Sequence, residues 1–280
     1  MELLAGHACF GGRQAFYRHA SEEIGSPMRF SVYCPPQQAQ QPVPVLFYLA
    51  GLTCTEETFM IKAGAQRYAA EHGIMLVAPD TSPRDTGIAD AVQDWDFGEG
   101  AGFYLDATEE PYRARFRMES YLVRELVPLV LSHFAVLPER VGVFGHSMGG
   151  HGALVMALRH PQVFRSVSAF APIAAPSACP WGEKAFSRYL GRNRDAWLQY
   201  DASELMKKRR TPFPDGIWID QGLEDKFLHA QLKPESFEAA CAEAAQPLTL
   251  RRHPGYDHGY YFISSFMADH LAFHARILSR

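Results

Sequence analysis

The chain has 280 residues, a formal net charge of −4, and 47% hydrophobic and 21% charged residues. That is the composition of an ordinary soluble globular protein. It excludes a disordered or fibrous chain and the strongly basic footprint of a nucleic-acid binder.

No apolar run approaches the roughly 20 residues needed to cross a bilayer. The opening Met1-Glu2-Leu3-Leu4-Ala5-Gly6-His7 lacks the basic and long apolar regions of a signal peptide. The five cysteines (Cys9, Cys34, Cys54, Cys179 and Cys241) are odd in number, scattered and without a C-x-x-C pair. Reduced thiols in a cytoplasmic protein fit that pattern better than a disulfide framework or a zinc site. No linker, repeat or low-complexity tract divides the chain, so residues 1–280 are expected to form one domain. The basic run Lys207-Lys208-Arg209-Arg210, just before Pro212, reads as a solvated helix end.

In chain order, residues 7–19 and 28–35 read as β-rich, with turns at Gly11-Gly12 and Gly25-Ser26-Pro27. Val45–Ala50 is a continuous apolar strand suited to the middle of a covered sheet. A helix is expected from Thr58 to Glu71, then a buried strand over Ile74–Pro79. Residues 80–111 form a long irregular stretch whose aromatics (Trp95, Phe97, Phe103, Tyr104) argue against disorder. Helical spacing returns over 115–133, with Pro128 as a point of bending. A strand at Arg140–Phe144 precedes a helix from Gly150. Further strands follow at 163–170, 216–220 and 247–252, with helices at 235–246 and from Tyr260 onward. Residues 172–212 are mixed and read as a partial cover. Strands alternating with helices imply a mostly parallel central sheet covered on both faces, with antiparallel strands at the N-terminal edge. This is the α/β-hydrolase pattern.

Between the strand ending at Phe144 and the helix beginning at Gly150 lies Gly145-His146-Ser147-Met148-Gly149. Strand, G-x-S-x-G, helix is the context of a nucleophile elbow, whose sharp turn lifts the serine hydroxyl above the sheet. A side chain at either glycine would crowd the neighbouring strand or helix. The Met148 N–H then opens a helix, where free donors and the dipole favour a developing oxyanion. A serine needs a base, and on this fold the order is serine, acid, histidine. The loop after 217–220 carries Glu224 and Asp225. The loop after 248–252 carries His253, Asp257 and His258. Asp225 and His258 fit best. Asp220 is too close to its strand, Glu224 is the local competitor, and His253 is a strand-end residue. His229, His270 and His274 read as helix positions, and His146 and His151 as packing or hydrogen-bonding residues. The loop after Ala50 should supply the second oxyanion donor, taken as the Leu52 N–H beside that of Met148.

Several stretches resemble S-formylglutathione hydrolases, the esterase D family. They are Cys9-Phe10-Gly11-Gly12, Gly51-Leu52-Thr53-Cys54-Thr55, Ala78–Arg84, Trp95-Asp96-Phe97-Gly98, Gly100–Tyr104, Phe144–Leu154, Cys179-Pro180-Trp181-Gly182 and Gly255-Tyr256-Asp257-His258. The resemblance covers nearly the whole chain. It implies a thioesterase that cleaves S-formylglutathione to glutathione and formate in formaldehyde detoxification, without a metal or cofactor and often as a homodimer. It maps the triad onto Ser147, Asp225 and His258, and a cysteine associated with sensitivity to thiol reagents onto Cys54. Between Asp85 and Gln93 the chain looks shorter and differently charged than that pattern. Trp181, Phe103 and Leu52 are candidates to shape a narrow acyl pocket. Arg84, Lys62, Lys184 and Lys226 are candidates to receive the carboxylates of glutathione. The rival readings are a general short-chain carboxylesterase and a non-catalytic binding protein on a hydrolase fold.

Overall fold

The computed structural model describes residues 1–209 and 212–280. Its strands are β1 (Glu2–Cys9), β2 (Gly12–Ser21), β3 (Ser26–Cys34), β4 (Val43–Leu49), β5 (Met75–Pro79), β6 (Val136–His146), β7 (Ser166–Phe170), β8 (Ile217–Gly222) and β9 (Leu248–His253). They form one nine-stranded sheet in the order β1-β2-β3-β5-β4-β6-β7-β8-β9. The hairpin β1–β2, then β3 and the β3–β5 pair, are antiparallel, whereas β5, β4, β6, β7, β8 and β9 run parallel. The apolar runs read as central strands are β4 and β5, and Val45–Leu49 and Met75–Val77 are fully buried. A parallel strand covered on two faces has no wet side, so it loses the alternation that β2 keeps.

The helices are α1 (Glu56–Lys62), α2 (Ala65–His72), α3 (Met118–Ser120), α4 (Val127–His133), α5 (Met148–Arg159), α6 (Pro180–Tyr189), α7 (Arg194–Trp197), α8 (Ala202–Lys207), α9 (Pro234–Glu243) and α10 (Tyr260–Leu278). α10 packs on α2, while α5 packs on α8 and α8 on α9, so two helical groups cover the sheet. The single helix expected over 58–71 is two helices. Gly64 sits in the left-handed region, at φ 65°, and breaks it. Across 118–133 the helical path is continuous but widens into a π-helical turn over Tyr121–Leu126, just ahead of Pro128. Proline has no N–H to give the carbonyl four residues back, and the widened turn absorbs that loss. Lys207 ends α8 and pairs with Glu204 at 2.6 Å, as a solvated helix end should, while Arg210 of the same basic run lies outside the described residues.

The long segment 80–111 contains only one short 3₁₀ turn, Ala89–Val92. It is nonetheless anchored. Phe97, Phe103, Tyr104 and Leu105 are fully buried. The Tyr189 hydroxyl donates to the Ala101 carbonyl at 3.0 Å and accepts from the Gly98 N–H at 3.1 Å. Burying aromatic rings and satisfying the backbone with a side-chain hydroxyl do the work that strand pairing does elsewhere.

Candidate active site

Ser147 stands between β6 and α5 at φ 57°, ψ −119°, a conformation rare for any residue with a side chain. The surrounding structure enforces it. The Ser147 N–H bonds the Phe170 carbonyl at 3.0 Å, and the first helical bond of α5 runs from the His151 N–H to the Ser147 carbonyl at 2.9 Å. A Cβ at Gly149 would lie 1.9 Å from the Leu49 carbonyl oxygen, and one at Gly145 would lie 2.2 Å from that of Gly149. No side chain fits at either place, so the turn can be made only with glycine.

Because the helical ladder starts at His151, the Met148 N–H has no partner within α5. Across from it, the chain after β4 turns through Gly51-Leu52-Thr53-Cys54. The Thr53 N–H bonds the Gly100 carbonyl at 2.9 Å and the Cys54 N–H bonds that of Gly51 at 3.2 Å. Among the described residues no backbone acceptor takes the Leu52 N–H between them. The turn is fixed from behind. The Cys54 carbonyl accepts from Thr81 Oγ1 at 2.7 Å and from Arg84 Nη2 at 2.9 Å.

β8 and β9 bring the other two groups in. A Cβ on Gly222 would lie 2.4 Å from the Tyr256 carbonyl oxygen, so the two loops can cross only because it has none. Asp225, buried, accepts from the Phe227 N–H at 2.8 Å and from Gln221 Nε2 at 3.4 Å. Its Oδ2 lies 2.5 Å from His258 Nδ1, which leaves Nε2 of that ring for another partner. Ser147 and His258 line one pocket of about 170 Å³, together with Gly51, Leu52, Cys54, Trp95, His146, Trp181, Phe227 and Tyr260. Among the described residues no hydrogen bond closes Ser147 to His258, and in unliganded sites such bonds are often long until substrate is bound.

The competitors lie elsewhere. Asp220 is wholly buried within β8 and bonds Arg251, His253 and His270. Glu224 is exposed. Asp257 accepts from the Gly259 N–H. His151 Nε2 lies 3.1 Å from the Phe103 carbonyl. His146, fully encased, packs its ring 4.4 Å from that of His258. Burial, and then the neighbouring His258, hold His146 well below the usual histidine range, so it is a neutral ring in the pocket wall.

Of the residues expected to contact substrate, Leu52, Cys54 and Trp181 line the pocket. The other five do not. Phe103 is fully buried against His151 and Phe186 and is part of the core, because the long segment folds its apolar rings inward. Arg84 is already engaged. Its guanidinium bonds Asp80 at 2.7 Å and the Cys54 carbonyl, so it braces the turn instead of facing substrate. Lys184 is paired with Asp96 at 2.5 Å and Asp94 at 3.0 Å. Lys62 and Lys226 are exposed, with Nζ 5.7 Å from the ring centre of the wall residue Tyr260 and 4.9 Å from that of Phe227, respectively.

Sequence reasoning missed three wall residues, Trp95, Phe227 and Tyr260. Phe227 and Tyr260 each lie two residues beyond a predicted triad member, and that spacing was the available signal.

The sequence and the fold have known relatives. The model of the Esterase family matches residues 21–273. The S-formylglutathione hydrolase of Rattus norvegicus is 49% identical over 282 residues, covering the whole of both chains. That of Mus musculus is 50% identical over 280 residues, covering all of this chain and 99% of the other. Among solved structures, an S-formylglutathione hydrolase from Agrobacterium tumefaciens superimposes with a TM-score of 0.96 at 48% identity, covering 99% of this chain and all of that one. With the elbow, the sheet order and this similarity along the full length, the chain belongs to the S-formylglutathione hydrolases of the esterase family.

Proposed function

We propose that this chain hydrolyses S-formylglutathione to glutathione and formate, with Ser147 as nucleophile, His258 as base and Asp225 as its orienting acid. The observation that carries the assignment is the Asp225–His258 bond at 2.5 Å at the edge of the pocket that Ser147 also lines. Asp225 binds Nδ1, which leaves the Nε2 lone pair free to take the serine's proton. Ser147 Oγ attacks the formyl carbon and its proton passes to Nε2. The carbonyl electrons move to oxygen, which the Leu52 and Met148 N–H groups receive. Collapse breaks the C–S bond, and His258 gives its proton to the departing glutathione sulfur. Water, deprotonated by His258, then attacks the formyl carbon on Ser147; collapse breaks the ester C–O bond, His258 returns the proton to Ser147 Oγ, and formate leaves. A pocket of about 170 Å³ is in keeping with a one-carbon acyl group.

Lys62 and Lys226 would receive the carboxylates of glutathione. Both are exposed, and among the described residues neither has a carboxylate partner. A cytoplasmic location is part of this reading and is supported by the odd, scattered set of free cysteines, and sedimentation tests whether the chain forms a homodimer.

The direct experiment compares wild type with Ser147→Ala on S-formylglutathione and on an acetate aryl ester. A strong preference for the thioester, with the variant down ~10⁴-fold or more on both, is expected. Turnover of the aryl ester alone would leave a carboxylesterase of other specificity. Ser147 that takes no fluorophosphonate label in the folded protein ends the enzyme reading.

A further inference from the structure

The rings beside Ser147 form an arc. Trp95 meets Trp181 edge-on at 5.7 Å, Trp181 meets Phe227 at 4.6 Å, and Phe227 meets His258 at 5.1 Å. Trp95 differs from the rest. It belongs to the irregular segment 80–111 and is 56% exposed, whereas Trp181 is 6% exposed and fixed in α6. Burial alone does not hold so exposed an indole in one place.

Charge holds it. Asp94 and Asp96 flank Trp95, and one ammonium, that of Lys184, lies 3.0 Å from the first and 2.5 Å from the second. Arg188 reaches Asp94 at 3.4 Å and lays its guanidinium 4.5 Å over the Phe97 ring. Positions 181, 184 and 188 are spaced three and four apart, so α6 presents Trp181 and both cations on one face. An isolated surface ion pair contributes little. Here one cation is shared by two carboxylates and a second cation sits on one of them, which is the networked case.

We propose that Lys184 is a specificity-determining residue that latches Trp95 against Trp181 and so limits the size of the group accommodated beside Ser147. The proposal rests on the esterase reading above. It assigns the lysine to the protein's own carboxylates and not to those of the substrate. The two roles differ in what they move. A latch acts on every substrate according to size, including uncharged esters. A substrate contact acts only on a ligand that carries a carboxylate.

The test uses wild type, Lys184→Met, Trp95→Ala and the double variant on p-nitrophenyl acetate, butyrate and hexanoate, and on S-formylglutathione. Lys184→Met is expected to raise the hexanoate-to-acetate ratio of kcat/KM by roughly three- to tenfold. Trp95→Ala should raise it at least as far, and the double variant no further than Trp95→Ala. Wild type in about 1 M NaCl should move in the same direction, because salt screens the exposed charges. Acrylamide quenching of tryptophan fluorescence needs no turnover and should increase in Lys184→Met. An unchanged ester ratio with unchanged quenching overturns the latch. So does a rise confined to the KM of S-formylglutathione, which would make Lys184 a substrate contact. Failure of the esterase reading looks different, since no ester is turned over and Ser147 takes no fluorophosphonate, while the quenching comparison still decides the latch.

Discussion

Asp220 and Asp225 stand five residues apart, one inside β8 and one just past its end. Both are buried and both bond a histidine, yet they are compensated differently. Asp220 receives Arg251 through two bonds, at 2.7 and 2.6 Å, and His253 and His270 at 3.1 and 3.2 Å. Burial alone would raise its carboxyl, but the bonds from Arg251 and His270 outweigh burial and hold it far below the usual carboxylate range. Its charge is neutralised by a permanent cation. Asp225 has a backbone N–H, a glutamine amide and His258, and among these only His258 can become a cation. Its compensation is completed only when the imidazole takes a proton. A buried Asp–His contact is therefore no sign of catalysis by itself. In the proposed mechanism, what distinguishes the two is whether the countercharge is fixed or arrives during the reaction.

The comparison is sharpest under exchange of each carboxylate for its amide. Asp225→Asn should lower kcat by ~10³–10⁴-fold, because the wrong imidazole tautomer is then favoured, with little change in melting temperature. Asp220→Asn should do the reverse. It leaves the Arg251 guanidinium with only the exposed Asp269, at 2.7 Å, and His253 and His270 without a charged partner, so a loss of about 1–3 kcal/mol in stability is expected by denaturant titration, with kcat per folded molecule retained. A large loss of kcat in folded Asp220→Asn would erase the distinction. The sign of the pH effect follows. A carboxyl held down in the folded protein contributes stability that is full above its unfolded value of ~3.9 and is lost as pH falls through the lower folded value.

Much of this was legible in the sequence because each element had its own local signal. The elbow announces itself by two glycines around one serine after an apolar strand, and the proposed acid and histidine by their places after the last two strands. The central strands were legible because burial on both faces leaves an unbroken apolar run. The pocket wall was less so. Phe103 and Trp95 both lie in the segment 80–111, where no periodicity reports which ring turns inward, and they took opposite places: Phe103 in the core, Trp95 at the mouth. The charges were hidden for a similar reason. Whether Arg84 or Lys184 faces substrate depends on which carboxylates fold beside them, and Asp80, Asp94 and Asp96 are brought there by tertiary packing.

A milder contrast separates the proposed base from the histidines that pack. Burial lowers His151 to about 4, despite the Phe103 carbonyl at its Nε2, and lowers His270 and His274 as well. A histidine whose folded value is depressed favours the fold fully above its unfolded value of ~6.5, and that contribution declines as pH falls toward the folded value. For His151 the window runs from ~6.5 to about 4, with a slope of at most ~1.4 kcal/mol per pH unit. In denaturant titrations at several pH values, His151→Gln should flatten the curve in that window by up to that slope. An unchanged slope would show that His151 takes its proton without cost in the folded state.

The smallest effect is expected at Cys54, where side chain and backbone serve different ends. The thiol lines the pocket, while the backbone carbonyl is held by Thr81 and Arg84. The turn that presents the Leu52 N–H therefore does not depend on the sulfur. Cys54→Ser should keep kcat/KM within about twofold, because a hydroxyl of similar shape leaves those two bonds in place. Burial pushes the thiol above its ordinary value of 9.0. The thiolate is thus scarce near neutrality, so alkylation should be slow there and quicken as pH rises. An adduct on Cys54 has only about 170 Å³ to occupy and would fill the space beside Ser147. Wild type should consequently lose activity in step with labelling, and Cys54→Ser should be insensitive to the same reagent. Loss of catalysis in a fully folded Cys54→Ser would instead place the sulfur among the groups that act on substrate, and the separation between its carbonyl and its side chain would no longer hold.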